Sequence, residues 1–162
     1  MSTSHNGNQS PSGRAEYHVS MTVVTWRALD SAHGKLSAEL SAALRTHHNL
    51  SLNAHAVLSQ LVRAPDRKLR MTEIASRIDF SLSGLTGLVG RLEQDGLIER
   101  QSNAADRRVI YACLTEIGER YANEADTRHQ ATLDTILSER FAPDELALLA
   151  ELLGRITANG EA

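Results

Sequence analysis

Cysteine occurs once in this chain, as Cys113, so no internal disulfide is available and a reducing compartment suits it. Aromatic residues make up only 4% of the 162 residues, which leaves the core to Leu, Ile, Val and Ala. No apolar run approaches the roughly 20 residues that a membrane-spanning helix needs. We therefore expect no membrane partner and a cytoplasmic protein. Residues 1–16 are rich in Ser, Asn and Gly and lack the apolar stretch of a signal peptide, so we expect a disordered tail there. A phosphate-binding loop, an HExxH pair and a nucleophile elbow are all missing. These absences argue against an enzyme and imply no cofactor. Asn49-Leu50-Ser51 matches a glycosylation sequon, which means little without a secretion signal.

Acidic residues outnumber basic ones, and the formal net charge is -3. Its distribution matters more than its sum. From Arg63 to Arg108 there are nine Lys and Arg against seven Asp and Glu, whereas the flanks carry eight against thirteen. Basic charge is thus concentrated in the middle third, as expected of a surface that meets a polyanion. Seven histidines invite a metal reading. However, His47 and His48 are adjacent and point to different faces, while His55 and His129 share no ligand spacing with them, so no metal site is expected.

The periodicity predicts a long helix from Tyr17 to His48, with Val19, Val23, Trp26, Leu29, Leu36, Leu40 and Leu44 at helical spacing and a soft point near Gly34. Ser51 caps a second helix with a buried stripe of Ala54, Val57, Leu58, Leu61 and Val62, which Ala64-Pro65-Asp66 ends. A short third helix from about Thr72 turns Ile74, Ala75 and Ile78 inward, and Asp79-Phe80 makes the turn to the next. That fourth helix runs from Ser81 to Gln94 with Gly96 as its stop. Strands follow at Leu97–Gln101 and Val109–Leu114, where Cys113 reads as a small core residue. Thr115 caps a long helix to about Arg140, and Pro143 opens a last one with Leu146, Leu149, Leu152, Leu153 and Ile156.

Two short helices joined by a tight turn, followed by a two-stranded ribbon with a basic tip, form a winged helix-turn-helix. The expected fold is therefore mainly α with a small β-wing. Its order is helix, helix, a short first strand, helix, helix, strand, wing, strand, helix, helix. The expected division is a tail (1–16), a first dimerisation helix (17–50), a DNA-binding lobe (51–114) and C-terminal dimerisation helices (115–160). The apolar stripes of the terminal helices exceed what so small a lobe can cover. A homodimer would pair them and match a pseudo-palindromic duplex DNA site.

On a helical wheel Leu85, Leu88, Val89 and Leu92 share the inner face of the fourth helix. Ser83, Gly87 and Gly90 lie opposite, with Thr86 and Arg91 on the flanks and Gly84 beside Arg91. Each interior glycine costs about 1 kcal/mol relative to Ala, so three of them suggest close backbone approach to DNA or to packed neighbours. At the wing, Asp106 would orient an arginine by ion pairing, and Arg107 or Arg108 would enter a narrow minor groove.

The runs Leu92-Glu93-Gln94-Asp95-Gly96-Leu97-Ile98-Glu99-Arg100, Asp106-Arg107-Arg108 and Leu114-Thr115-Glu116-Ile117-Gly118 resemble the LExxGLxxR, DxR and LTxxG patterns of MarR-type transcriptional regulators. The resemblance takes in Ser81 to Thr86 and Leu50-Ser51-Leu52, and runs from about Trp26 to Ile156. It implies an obligate dimer through the terminal helices and a repressor released by a small molecule. It also makes Arg108 the minor-groove arginine and Asp106 its organiser. Where relatives carry polar side chains, this chain has Leu82, Gly87 and Gly90, which shifts weight to the wing and to phosphate contacts from Arg70, Arg77 and Arg91. The DNA-contacting set expected is thus Ser81, Ser83, Gly84, Thr86, Gly87, Gly90, Arg91, Arg70, Arg77, Asp106, Arg107 and Arg108. Tyr17, Trp26, Arg27, His33 and His48 are candidates for a pocket that takes a small aromatic or phenolic effector. The competing reading is a dimeric winged interaction module that has lost strong DNA recognition.

Overall fold

A computed structural model describes residues 20–157, so Tyr17 and the expected tail lie outside the described residues. The helices are α1 (Met21–His48), α2 (Leu52–Arg63), α3 (Met71–Arg77), α4 (Leu82–Gln94), α5 (Glu116–Ser138) and α6 (Pro143–Thr157). The strands are β1 (Lys68–Arg70), β2 (Ile98–Ser102) and β3 (Ile110–Leu114). They form one antiparallel sheet in the order β1-β3-β2. Both hairpin strands begin one residue later than the sequence pattern suggested. Two compact units divide the chain after Gly34, at the soft point of α1. The first holds the start of α1, and the second holds every other element.

Local chemistry accounts for the helix boundaries of the second unit. Ser51, Ser81 and Thr115 each accept a hydrogen bond from the backbone N–H three residues on, satisfying one of the donors a helix start leaves open. Gly96 adopts a φ of 71°, the left-handed backbone that ends α4 and that only glycine reaches without strain. Asp79 also has positive φ, at 49°, and turns the chain between α3 and α4. Among the described residues no helix is long and apolar enough to cross a membrane.

The core lies where α2, α3, α4 and the sheet meet. Val57, Leu58, Leu61, Ile74, Leu85, Val89, Ile98 and Ala112 are almost completely buried. The inner face read for α4 is correct, because Leu85, Leu88, Val89 and Leu92 are all buried. Cys113 is a correction. It is half-buried on the outer side of β3, because Ala112, one residue earlier, takes the inward position of the alternating strand. Burial still pushes its thiol pKa up.

The LTxxG and LExxGLxxR runs meet at one joint. Thr115 donates its hydroxyl proton to the Gly96 carbonyl at 2.8 Å and accepts from Gly118 N–H at 2.9 Å. A side chain at Gly118 would overlap the backbone carbonyl of Leu97, so glycine is the one residue that fits there. Glu93 closes the other motif. Its carboxylate accepts from the Arg100 backbone N–H at 3.2 Å and from Arg100 Nε at 2.8 Å.

Candidate nucleic-acid interface

Packing α3 against α4 turns the opposite side of α4 outward. Ser81, Ser83, Thr86, Gly87 and Arg91 are exposed, and Gly84 and Gly90 are half-buried. The hydroxyls there are partly committed. Ser81 Oγ accepts from Gly84 N–H at 3.2 Å, and Thr86 Oγ1 donates to the Leu82 carbonyl at 2.8 Å. Thr86 therefore presents acceptor lone pairs outward, whereas Ser81 acts first as a cap.

The three glycines separate into two kinds. A Cβ at Gly84 would press on the Phe80 ring at 2.9 Å, so packing against the helix-turn-helix turn requires it. Gly87 and Gly90 have nothing within 4 Å, so no contact inside the described residues demands them. Leu82, beside them, is 48% exposed.

The wing runs from β2 to β3 through residues 103–109. Asn103 N–H donates to Val109 O at 2.9 Å, and Asn103 Oδ1 accepts from Ala105 N–H at 2.8 Å. Asp106 does not form the ion pair expected of it. Its Oδ1 accepts from the backbone N–H of Arg108 at 2.9 Å, fixing the turn itself. Among the described residues neither Arg107 nor Arg108 pairs with a carboxylate, so both guanidiniums remain available to an external anion.

Between α4, the start of α3 and the wing lies a cleft of about 280 Å³. Thr86 and Leu82 line one side and Arg108 and Ile110 the other, with Arg70 and Arg100 also on its wall. The fold thus gathers Arg70, Thr86 and Arg108, which are far apart in sequence. Arg77 lies elsewhere on the lobe, with its guanidinium 3.5 Å from Gln60 Oε1. Arg100 was quoted only as part of a motif. Its ion pair with Glu93, at 2.5 Å, holds the guanidinium at the cleft and lowers the pKa of the Glu93 carboxyl.

The candidate effector residues fall in both units. Trp26, Arg27 and His33 belong to the first, and all three are exposed, Trp26 to 66%. His48 belongs to the second. There its ring meets the Tyr121 ring edge-on at 5.6 Å, its carbonyl accepts the Tyr121 hydroxyl, and it lines a shallow cleft with Glu124, Thr127, Arg128 and Ala131.

A second polar cluster, between α2 and α5, was not expected from the sequence. His55 Nε2 lies 2.7 Å from Asp126 Oδ1, and the Ser59 hydroxyl donates to the same oxygen. The His129 ring lies 4.5 Å from that of His55, and its buried Nδ1 has no hydrogen-bond partner among the described residues. Burial, more than any neighbour, pushes both imidazoles below their usual pKa. Among the described residues no group of His, Cys, Asp and Glu is arranged to hold a metal ion.

Comparison with known proteins places this geometry. The sequence model of the MarR family matches residues 48–109. The HTH-type transcriptional regulator MhqR of Bacillus subtilis (strain 168) is 31% identical over 114 residues, which is 70% of this chain and 77% of the relative. The homoprotocatechuate degradative operon repressor of Escherichia coli is 26% identical over 143 residues, 88% of this chain and 91% of its own length. Among solved structures, Sco3205, a MarR family transcriptional regulator from Streptomyces coelicolor in complex with DNA, superposes with a TM-score of 0.76 at 28% identity, covering 85% of each chain.

Proposed function

This chain belongs to the MarR family, and from that premise we propose a dimeric repressor that binds a pseudo-palindromic DNA site and releases it on binding a small aromatic or phenolic compound. The observation that carries DNA binding is the cleft where Thr86 of α4, Arg70 at the start of α3 and Arg108 of the wing come together. In the proposed complex α4 enters a major groove, and Arg108 reaches the flanking minor groove, where negative potential is strongest in narrow A·T-rich sequence. Arg107, Arg91 and Arg77 contact phosphates, which fix register without reading sequence. With glycine at 87 and 90, α4 offers few groups to base edges, so shape and backbone carry much of the specificity.

Dimerisation is supported by α6, where Leu148, Leu152, Leu153 and Ile156 are 38–66% exposed in the single chain. Pairing the terminal helices (17–50 and 115–160) of two chains would cover such apolar surface and set the spacing of two lobes. The effector proposal draws on the E. coli relative, whose name ties it to homoprotocatechuate, a phenolic acid. Tyr17, Trp26, Arg27, His33 and His48 stay, residue by residue, the proposed effector-contacting side chains. Trp26, the sole tryptophan, would report effector binding as fluorescence quenching. We place the protein in the cytoplasm, with no catalytic activity.

A mobility-shift assay on DNA upstream of the protein's own gene tests this reading. The native chain should shift the duplex at low salt, and Arg108→Ala should weaken binding about tenfold. No shift at low salt would favour the interaction-module reading instead. An unchanged shift with Arg108→Ala would remove the wing from the interface.

A further inference from the structure

The outer face of the sheet carries a tyrosine that the DNA reading leaves unused. Tyr111 in β3 stands opposite Arg70 in β1 and opposite Gln101 in β2. Arg70 Nε donates to the phenol oxygen at 3.3 Å. Asn103, at the wing tip, lines the same shallow hollow as Tyr111 and Lys68, and its side chain, after Arg70, favours the ionised phenol. Lys68 Nζ sits 4.6 Å from the ring centroid and donates to Gln101 Oε1 at 3.2 Å. All of these side chains lie outside the cleft that gathers Thr86 and Arg108, except Arg70, which lines it.

The two residues that meet at this oxygen have distinct places in the fold. Arg70 is the N-cap of α3, held there by its N–H to Glu73 Oε2 at 2.9 Å. Asn103 opens the wing tip and is fixed by its bonds to Val109 and Ala105. We infer that Tyr111 is a positioning residue for DNA binding, its phenol oxygen tying the wing tip to the start of α3 so that Arg108 keeps a set distance from α4. A helix in one groove and an arginine in the next must match the groove spacing of the duplex, and a wing attached only through its two strands is free to lean. Because these side chains lie near the surface, water competes for each contact, so the bridge orders the wing more than it stabilises the fold.

This inference rests on the DNA-binding reading, and its test separates the two. Tyr111→Phe keeps the ring and its stacking with Lys68 but removes the acceptor. The probe is a duplex selected by the wild-type protein from a random-sequence library. Hydroxyl-radical footprints on it would compare the wild type, Tyr111→Phe, Arg108→Ala and the double variant, with circular dichroism melting as the control for folding. Tyr111→Phe should weaken binding about threefold to tenfold, the range of one hydrogen bond. It should also lose protection in the minor groove while keeping protection from α4, with an unchanged melting temperature. In the Arg108→Ala background Tyr111→Phe should cost nothing further, because the group it positions is gone. Asn103→Ala, which cuts the other end of the bridge, should reproduce the minor-groove loss. Additive effects of Tyr111→Phe and Arg108→Ala, or an unchanged minor-groove footprint, would overturn the bridge and leave the DNA reading standing. A wild-type protein that selects no duplex would overturn both.

Discussion

The winged lobe and the last helix handle apolar surface in opposite ways. Leu85 and Val89 of α4 are fully buried within one chain, and Leu92 and Ile98 nearly so. In α6, Leu148 is 54% and Ile156 66% exposed, although both helices are comparably rich in leucine. At roughly 25 cal/mol per Å² the lobe draws on its own burial for stability, whereas the stripe of α6 would gain as much in the proposed dimer, where a second chain covers it. Among the described residues the lobe covers its own apolar surface, and the stripe of α6 stays open.

The sharpest way to break the lobe is at its joint with α5. Gly118→Ala would drive a methyl into the Leu97 carbonyl, and backbone cannot rotate away as a side chain does. We expect a loss of stability of about 3 kcal/mol or more, seen as a large drop in melting temperature. Leu148→Glu with Leu152→Glu should do the reverse, leaving the lobe folded while abolishing the dimer. Sedimentation would show monomers, and circular dichroism would keep the helical signal. A persistent dimer in that variant would mean that α6 is not half of an interface.

A smaller effect comes from the pair of imidazoles between α2 and α5. His55 faces Asp126 and His129 of α5, with Ser59 and Arg63 on its own helix and His48 at the end of α1 contributing. Both folded-state pKa values lie below the unfolded 6.5. Unfolding therefore takes up protons, and stability falls as pH drops below about 6.5 and levels off above it. Melting followed from pH 7.5 to 5.5 should show that decline, and His129→Gln should flatten it. The smallest effect is expected at Gly87→Ala. With nothing within 4 Å it should stabilise the lobe by about 1 kcal/mol. If DNA affinity survives that change, close backbone approach was not why glycine stands there.

Local signals read well from the sequence. Ser51, Ser81, Thr115 and Gly96 each act within three or four residues, and each marks the boundary its chemistry implies. The inner face of α4 was legible because its period of 3.6 is strong. What escaped depended on separation. His55 and Asp126 are 71 positions apart, and only the Asp126-x-x-His129 spacing hinted that two of the three share a helix face. Asp106 was read as a charge looking for an arginine side chain, but the tight turn offered it a backbone N–H first. Gly84 was grouped with its neighbours because a helical wheel does not show the Phe80 ring folded back beneath it. Tyr111 went unremarked because its partners arrive from β1 and from the wing tip, and both depend on strand register.

One hydroxyl has a mechanical consequence. Thr115 grips the carbonyl that follows α4 and the N–H that opens α5, and Gly118 lets the two backbones touch. One side chain thus serves the end of one helix and the beginning of the other. A change at residue 115 or 118 would therefore disturb the end of α4 and the start of α5 together.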